Sequence, residues 1–319
     1  MHADSPVDAL VVDVGARGLR ARRGGETAQA RVDIPRLRLD DGLDVDAALS
    51  AVAPLVEGHE TPPATTVWSL PLAGRHRTPV DAPTLLARSR QAFGTARTVV
   101  VDAAVTTLVG ALDEVAPGVV LDMGVSATAL ATDFDQTWHR VDGWGPVLGD
   151  RGSAAWIGAQ GLAAALRQRD GVPGGSVELL RVARHAFGDE RTWVDLLTCH
   201  GTAEVLADFA PLVGDAVRRD VVAEEICRLA GEHLAETMCA GSRLLPGVPL
   251  AATGALLLVD AVKAALAKAL GRRCVFVVPA FGDSLAGAHV LAAHLASHRP
   301  LRHRPPFTHV DGHSALTSG

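Results

Sequence analysis

One short pattern, a buried strand followed by a tight turn and a second strand, occurs twice in this chain. The first copy runs from Ala9 to Gly15 and returns through Leu19 to Arg23. The second copy runs from Gly118 to Gly124 and returns through Ser126 to Ala131. Short continuous apolar runs bounded by turn residues are typical of fully buried strands. The repetition of one such unit predicts a duplicated domain.

Helices and strands alternate along much of the remaining chain, which predicts an α/β fold. From about Ala154 to Leu245 the pattern is mostly helical, with breaks expected at the glycine-rich segment 171–175 and at Pro211. The other predicted elements are helices at 44–58, 84–93, 104–114, 259–270 and 284–296, and strands at 66–70, 98–102, 249–252 and 274–278.

The length of 319 residues exceeds the size at which one hydrophobic core usually suffices, so two domains are expected. We predict an N-terminal domain at residues 1–103 and a C-terminal domain with a helical insert at 104–299. Residues 300–319 are rich in His, Arg and Pro and show no apolar periodicity, which predicts a flexible tail.

Charge and cysteine usage exclude several classes of function. A net charge of −6 provides no electrostatic footprint for nucleic acid. The cysteines are widely spaced and form no Cys-x-x-Cys pair, which argues against a zinc site or a disulfide framework; they are Cys199, Cys227, Cys239 and Cys274. No apolar run approaches the roughly 18 residues of a membrane span, and no basic leader precedes an apolar run. We therefore expect a cytoplasmic protein without a membrane partner.

The most specific segment is residues 142–158, Asp-Gly-Trp-Gly-Pro-Val-Leu-Gly-Asp-Arg-Gly-Ser-Ala-Ala-Trp-Ile-Gly. Its glycines allow the backbone to approach a ligand closely, and Asp150 supplies a carboxylate. Because carboxylate oxygens accept hydrogen bonds from sugar hydroxyls, this combination favours a polyol pocket. The alternative is an ordinary glycine-rich turn that caps a helix at Ser153.

The spacing within this segment resembles the sugar loop of the N-acetylglucosamine kinases, which belong to the BadF/BadG/BcrA/BcrD ATPase family. The recurring form there is Gly-Trp-Gly-x-x-x-Gly-Asp-x-Gly-Ser, and this chain matches it at Gly143, Trp144, Gly145, Gly149, Asp150, Gly152 and Ser153. The resemblance implies that Gly143, Trp144, Gly145 and Asp150 bind an amino sugar. The family usually adds an asparagine contact to the sugar, and this sequence contains no asparagine.

The duplicated pattern is similar to that of the actin, hexokinase and Hsp70 superfamily, which has two ribonuclease-H-like domains with a nucleotide cleft between them. The first turn of that family, Asp-Gly-Gly-Gly-Thr-Lys-Thr, holds nucleotide phosphates. Asp13 and Gly15 match it, and Arg17 stands where a hydroxyl is usual. The resemblance implies ATP and Mg²⁺, with Asp13 orienting the metal through water and Arg17 acting as a fixed cation for phosphate. The alternative is a loop that has lost phosphate binding.

Two further segments resemble nucleotide contacts of the family. The second turn resembles the phosphate loop Gly-Thr-Gly-Ser, of which Gly124 and Ser126 keep one glycine and one hydroxyl in shifted order. Gly254 and Ala255 follow a predicted strand, as the family's adenosine-side Gly-Gly does. The resemblance implies that these four residues contact ATP.

Asp102 stands at the end of a predicted strand and immediately before a predicted helix. This context resembles the Asn-Asp-Ala of the family, whose aspartate is the general base that takes the proton of the attacking sugar hydroxyl. The alternative is a helix N-cap, and the two roles are compatible.

The resemblance as a whole implies an ATP-dependent kinase that phosphorylates N-acetylglucosamine or a related hexosamine, with Asp102 as general base. A homodimer is expected on the same resemblance. The alternative is a sugar-binding sensor or pseudokinase whose phosphate loops have degenerated. An iron–sulfur ATPase that activates dehydratases is disfavoured, because that class needs closely placed cysteines.

Overall fold

The fold consists of two compact units, each formed by segments that are separated in sequence. The computed structural model describes residues 7–15, 17–24, 29–33, 38–39, 42–72, 81–199 and 202–310. The first unit comprises residues 1–118, 132–138 and 279–319, and the second comprises 119–131 and 139–278. These units differ from the continuous domains 1–103 and 104–299, because the last part of the chain returns to the first sheet.

The first unit begins with a hairpin and continues as alternating strands and helices. Its elements are β1 Ala9–Gly15, β2 Gly18–Arg23, β3 Gln29–Asp33, β4 Arg38–Leu39, β5 Gly42–Leu43, α1 Val45–Val52, β6 Thr65–Leu70, α2 Ala82–Phe93, β7 Arg97–Asp102 and α3 Ala103–Leu112. β1 pairs antiparallel with β2 and parallel with β6. The first six residues of β1 are buried, as its continuous apolar run predicted.

The second unit combines a small sheet with most of the helices. Its elements are β8 Gly118–Met123, β9 Ala127–Thr132, β10 Trp138–Asp142, α4 Ala154–Arg169, α5 Val177–Phe187, α6 Trp193–Cys199, α7 Thr202–Ala216, α8 Val221–Leu244, β11 Leu250–Thr253 and α9 Asp260–Arg272. The strand order is β10-β9-β8-β11. Phe209, Leu234 and Met238 are fully buried in its core. Within the described residues we find no helix with the length and apolarity that a bilayer span requires.

The chain then returns to the first unit with α10, Ser284–Ala296, and β12, Thr308–Val310. The first sheet therefore has six strands in the order β12-β7-β6-β1-β2-β3. β12 pairs antiparallel with β7, so part of the predicted flexible tail at 300–319 is an edge strand. Thr308 is buried in that strand. Its burial and the pairing with β7 explain why the segment forms a strand although its sequence shows no apolar periodicity.

Helices α3 and α10 pack at very short range, and glycines make this possible. A Cβ atom at Gly287 would overlap the carbonyl oxygen of Thr106, and one at Gly110 would overlap that of Asp283. Because no other residue fits such an approach, the two glycines allow the N-terminus of α10 to lie beside α3. This contact brings side chains of the two helices to the end of the first sheet.

The structure corrects several predicted elements. Residues 274–278 form a single bridge, Ala251 to Val278, and no strand. Pro279 follows directly and has no N–H to continue the pairing. The edge strands β3 and β10 were not predicted, because their sequences, Gln-Ala-Arg-Val-Asp and Trp-His-Arg-Val-Asp, mix polar and apolar residues.

Pro211 lies inside α7 and does not break it. A proline in a helix removes one backbone hydrogen bond and costs about 3 kcal/mol. Phe209, Ala210 and Val213 are fully buried around it, and their burial offsets that cost.

Candidate active site

Polar side chains gather in the first unit where its parallel strands end. β1, β6 and β7 are neighbours, with Asp13 opposite Ser69 and Leu70 opposite Asp102. The carboxyl ends of neighbouring parallel strands form one edge of a sheet, and ligand sites of open α/β sheets lie at this edge. Asp13 and Asp102 are therefore on the same edge, two strands apart.

Asp13 is buried, and both of its carboxylate oxygens accept hydrogen bonds. Oδ1 accepts from Ser284 Oγ at 2.8 Å and from Ser69 Oγ at 3.1 Å. Oδ2 accepts from Arg20 Nη2 at 2.6 Å. The carboxylate is thus held by two hydroxyls and one cation.

Arg20 lies directly opposite Asp13 in the β1–β2 pairing and bridges it to a second carboxylate. Its Nη1 donates to Asp283 Oδ2 at 2.6 Å, while Asp283 Oδ1 accepts from the backbone N–H of Ala286 as the N-cap of α10. Burial opposes the charge of Arg20, but the hydrogen bonds and charges of Asp13 and Asp283 outweigh it and hold its pKa above the ordinary value.

The pKa of Asp283 moves in the complementary direction. Burial would raise it, but the N–H of Ala286 and the guanidinium of Arg20 stabilise the charged form, and the net pKa lies below the ordinary value. Arg20 and Asp283 are therefore both charged at neutral pH.

Three hydroxyls lie close together beside the carboxylate of Asp13, those of Ser69, Thr106 and Ser284. Thr106 Oγ1 lies 2.7 Å from both Ser69 Oγ and Ser284 Oγ, and the two serine oxygens are 3.0 Å apart. Thr106 Oγ1 also lies 3.0 Å from the carbonyl oxygen of Ala103, which it contacts within α3. The cluster links β6, α3 and α10, so the position of Asp13 depends on all three elements.

Asp102 is buried and is the N-cap of α3, because its Oδ1 accepts from the backbone N–H of Ala104 at 3.0 Å. Its own N–H donates to the carbonyl of Phe307 at 2.7 Å, just before β12. The predicted N-cap is therefore present, and the role as general base stays a prediction. The segment that leads into β12 fixes the backbone at this residue.

Gly15 is the last residue of β1, and Arg17 lies in the turn that leads to β2. Both residues are exposed, and a Cβ atom at Gly15 would meet no atom within 4 Å. Arg17 is therefore accessible to an anionic ligand. Its role toward phosphate stays a prediction.

The second turn, between β8 and β9, uses its polar groups inside the protein. The carbonyls of Gly124 and Val125 accept from the N–H groups of Ala154 and Ala155 in the first turn of α4. Ser126 Oγ donates to Asp150 Oδ1 at 2.6 Å. A hydroxyl has one hydrogen, and Ser126 donates it to Asp150. Ser126 therefore belongs to the same hydrogen-bond network as the predicted sugar loop.

Asp142, a residue that sequence analysis did not single out, organises the predicted sugar loop. Its carboxylate accepts from the backbone N–H groups of Gly143, Asp150 and Arg151 at 2.8, 2.7 and 3.3 Å. Asp142 and Asp150 both have left-handed backbone, with φ of 62° and 57°. The loop is thus folded back onto the carboxylate that begins it.

The ligand-binding residues predicted in this loop differ in exposure. Asp150 is 1% exposed, whereas Trp144 is 59% exposed. Gly143 has φ of 72°, and its carbonyl accepts from Arg140 Nη2 at 2.5 Å. A Cβ at Gly143 would overlap the side chains of Thr128 and Arg140 at a left-handed backbone angle, so this position favours glycine. Gly145 has φ of 87°, and a Cβ atom there would meet no atom within 4 Å.

Gly254 and Ala255 follow β11, as predicted. Gly254 has φ of 112°, and a Cβ there would overlap the carbonyl of Met123 at the end of β8. Close backbone packing therefore explains this glycine. Ala255 is exposed at the start of a short 3₁₀ helix.

The family relationship follows from sequence comparison. The sequence profile of the BadF/BadG/BcrA/BcrD ATPase family matches residues 66–285, more than half of the chain. The chain belongs to this family. No curated protein sequence matches it.

Solved structures of this fold resemble the chain over most of its length. A candidate N-acetylglucosamine kinase from Chromobacterium violaceum is 26% identical, with a TM-score of 0.68 over 89% of this chain and 98% of that one. A second, from Porphyromonas gingivalis, is 16% identical, with a TM-score of 0.72 over 91% and 99%. A ROK family glucokinase from Streptomyces griseus, solved with glucose and AMPPNP, is 16% identical, with a TM-score of 0.53 over 91% and 99%. The α/β fold class predicted from the family is confirmed.

The contacts of Asp13 do not fit a metal ion bound directly to its carboxylate, and the predicted role of orienting Mg²⁺ through water stays a prediction. Magnesium requires oxygen ligands in octahedral geometry, whereas Arg20 places a cationic nitrogen directly on Oδ2. Among the residues that the structure describes, no three His, Cys, Asp or Glu side chains are grouped to hold a metal ion.

Proposed function

We propose that this protein transfers the γ-phosphoryl group of ATP to a hydroxyl of N-acetylglucosamine or a related hexosamine. The observation that carries the proposal is the 26% identity to the Chromobacterium violaceum protein across 89% of the chain. Membership of an ATPase family supports the nucleotide, and the loop from Asp142 to Ser153 supports the sugar.

Asp102 is the general base of the proposed reaction. It takes the proton from the sugar hydroxyl while that oxygen bonds to the γ-phosphorus, and the bond from phosphorus to the β,γ-bridging oxygen breaks to release ADP. The N–H of Ala104 donates to Oδ1 and orients the carboxylate at the start of α3. The proton then leaves Asp102 for solvent. No step runs through a metal ion bound to Asp13.

Asp150 is the proposed acceptor for a sugar hydroxyl, together with Gly143, Trp144 and Gly145. Its Oδ1 accepts the hydroxyl hydrogen of Ser126, and a carboxylate oxygen can accept more than one hydrogen bond. Because Asp150 is 1% exposed, a sugar hydroxyl reaches it only when the loop opens. Trp144 lies on that loop and is exposed, so its fluorescence should report sugar binding.

The nucleotide is proposed to contact residues on both strand–turn–strand copies and after β11. Arg17 is the proposed cation for phosphate oxygens, since it is exposed on the first turn. The remaining proposed contacts are Gly15, Gly124, Gly254 and Ala255. Ser126, which the sequence predicts among the nucleotide contacts, is proposed to act on the sugar side. The bond from Ser126 to Asp150 favours a role for this hydroxyl on the sugar side of the network.

The test is an assay of the full chain with MgATP and a panel of hexoses, hexosamines and N-acetylhexosamines. Phosphorus NMR would identify a sugar phosphate and ADP as products. We expect N-acetylglucosamine or a close relative to be the best substrate. Absence of a sugar phosphate with every member of the panel, from a cooperatively folded protein, would contradict the proposal.

A second candidate function is sugar binding without phosphoryl transfer. The ion pair of Arg20 with Asp13 favours it, because that carboxylate is engaged within the protein. Titration calorimetry separates the two candidates. A sensor would bind a sugar and show no heat with ATP, whereas a kinase would bind both.

A further inference from the structure

The carboxylate of Asp13 has a cation of its own, supplied by the protein. Arg20 stands opposite Asp13 on the neighbouring strand, so the β1–β2 register brings the two together. The Nη2 to Oδ2 distance of 2.6 Å is that of a strong charge-assisted hydrogen bond. On the other carboxylate oxygen, two serine hydroxyls donate at 2.8 and 3.1 Å.

The guanidinium is also fixed from its far side. Asp283 accepts from Arg20 Nη1 at 2.6 Å, and the same carboxylate caps α10. The glycine contacts between α3 and α10 hold that helix end in place. Arg20 is thus fastened by two carboxylates that belong to different elements, β1 and the start of α10.

We propose that Arg20 is a resident cation at Asp13 and keeps divalent metal ions out of this position. A divalent ion would have to replace the guanidinium on Oδ2 and the hydroxyls on Oδ1. The ion would also be repelled by the positive charge of Arg20, because the contact with Asp283 keeps the guanidinium close to Asp13. Repulsion between such charges at short range opposes metal binding.

The charge state of Arg20 is stable over the whole neutral range, since contacts with both carboxylates raise its pKa against the effect of burial. The exclusion concerns a metal ion held by the protein, and an ion carried by the phosphates of a nucleotide is not affected. The inference therefore goes beyond the proposed function, and its test needs neither ATP nor sugar.

The test is a titration of the full chain with Mn²⁺, with free Mn²⁺ measured by electron paramagnetic resonance. We expect no saturable site in the wild-type protein. Arg20→Gln removes the charge and keeps hydrogen-bond donors, so it should create a site at least about tenfold tighter than any in the wild type. Adding Asp13→Asn to Arg20→Gln should abolish the new site.

Arg31→Gln is the matched control, because Arg31 lies opposite Arg20 on β3 and is exposed. It makes the same change in net charge and should leave Mn²⁺ binding as in the wild type. Equal gains in both variants would show a general electrostatic effect and would overturn the proposal.

Thermal unfolding with and without Mn²⁺ accompanies each titration. If Arg20→Gln lacks a cooperative transition, Arg20→Met, which keeps much of the side-chain stem, takes its place. Folded Arg20 variants that gain no Mn²⁺ site would overturn the proposal. A wild-type Mn²⁺ site that Asp13→Asn removes would overturn it without any Arg20 variant.

Discussion

The two strand–turn–strand copies share a backbone plan and stabilise their turns by different means. In the first unit the aspartate at the strand end is held by side chains, above all by Arg20. In the second unit the turn itself is held by backbone, because the carbonyls of Gly124 and Val125 accept from the start of α4. Only the side chain of Ser126 extends from this turn to a carboxylate, Asp150.

From this comparison we propose that the copies have separate tasks. The first unit concentrates charge at a sheet edge, with Asp13, Arg20 and Asp283 in one ion-paired set and Asp102 two strands from Asp13. The second unit builds a loop from glycines and carboxylates that accept backbone N–H groups. We therefore expect substitutions in the first unit to change turnover and substitutions in the loop of the second to change sugar affinity.

Replacing Asp102 should have the largest effect. Asp102→Asn retains an N-cap side chain and loses the base, so kcat should fall by about 10² to 10⁴ while sugar affinity is nearly unchanged. Coupled ADP release and calorimetry measure the two quantities. Asp44→Asn is the matched control, because Asp44 is the N-cap of α1 and its carboxylate accepts from the N–H of Ala47. Turnover at the wild-type rate in Asp102→Asn would remove this residue from the mechanism.

Replacing Arg17 should have the next largest effect. If its charge stabilises the transferring phosphoryl group, Arg17→Ala should lower kcat/KM for ATP on the order of 10². Sugar affinity should not change. Arg90→Ala, an exposed arginine of α2 in the same unit, controls for the loss of one positive charge. Equal kinetics for the two variants would show that the first turn does not act on phosphate.

Asp150→Ala tests the second unit. The hydrogen bond of a buried carboxylate contributes roughly 1.5 to 3 kcal/mol, so sugar affinity should fall by about 10- to 150-fold. Asp150→Asn is a second variant, because asparagine tolerates the left-handed backbone at this position. Asp220→Ala is the matched control, since Asp220 accepts a serine hydroxyl from Ser176 at 2.7 Å. A change in kcat without a change in sugar affinity would break the proposed division of tasks.

Much of the fold could be predicted because buried elements have strong apolar patterns. The bounds of α10 are those predicted, and β1 begins at the first residue of its apolar run. Edge strands such as β3 and β12 could not be predicted, because pairing on one side requires few apolar residues.

The candidate site was predictable only where a motif is local. Asp102 and Asp150 stand in recognisable contexts within a few residues. Arg20 and Asp283 are 263 positions apart, and their contact depends on the β1–β2 register and on the return of the chain as α10. The role of Asp142 depends on a left-handed backbone that turns three N–H groups toward its carboxylate, which sequence spacing alone does not indicate.

Ser126 offers the smallest and most discriminating effect, because the sequence predicts that its hydroxyl contacts phosphate, while in the structure the hydroxyl donates to Asp150. Removing one such hydrogen bond costs about 0.5 to 1.5 kcal/mol, so Ser126→Ala should weaken sugar binding by about 2- to 10-fold and leave ATP affinity unchanged. Ser176→Ala, which removes the equivalent bond to Asp220, should leave both affinities unchanged.

A double variant tests whether Ser126 acts through Asp150. In a protein that already carries Asp150→Ala, Ser126→Ala should not change the sugar affinity measured by calorimetry any further, because Ser126 is expected to affect the sugar through that carboxylate. Loss of ATP affinity in Ser126→Ala, with sugar affinity intact, would assign this hydroxyl to the nucleotide and make the two turns alike in task.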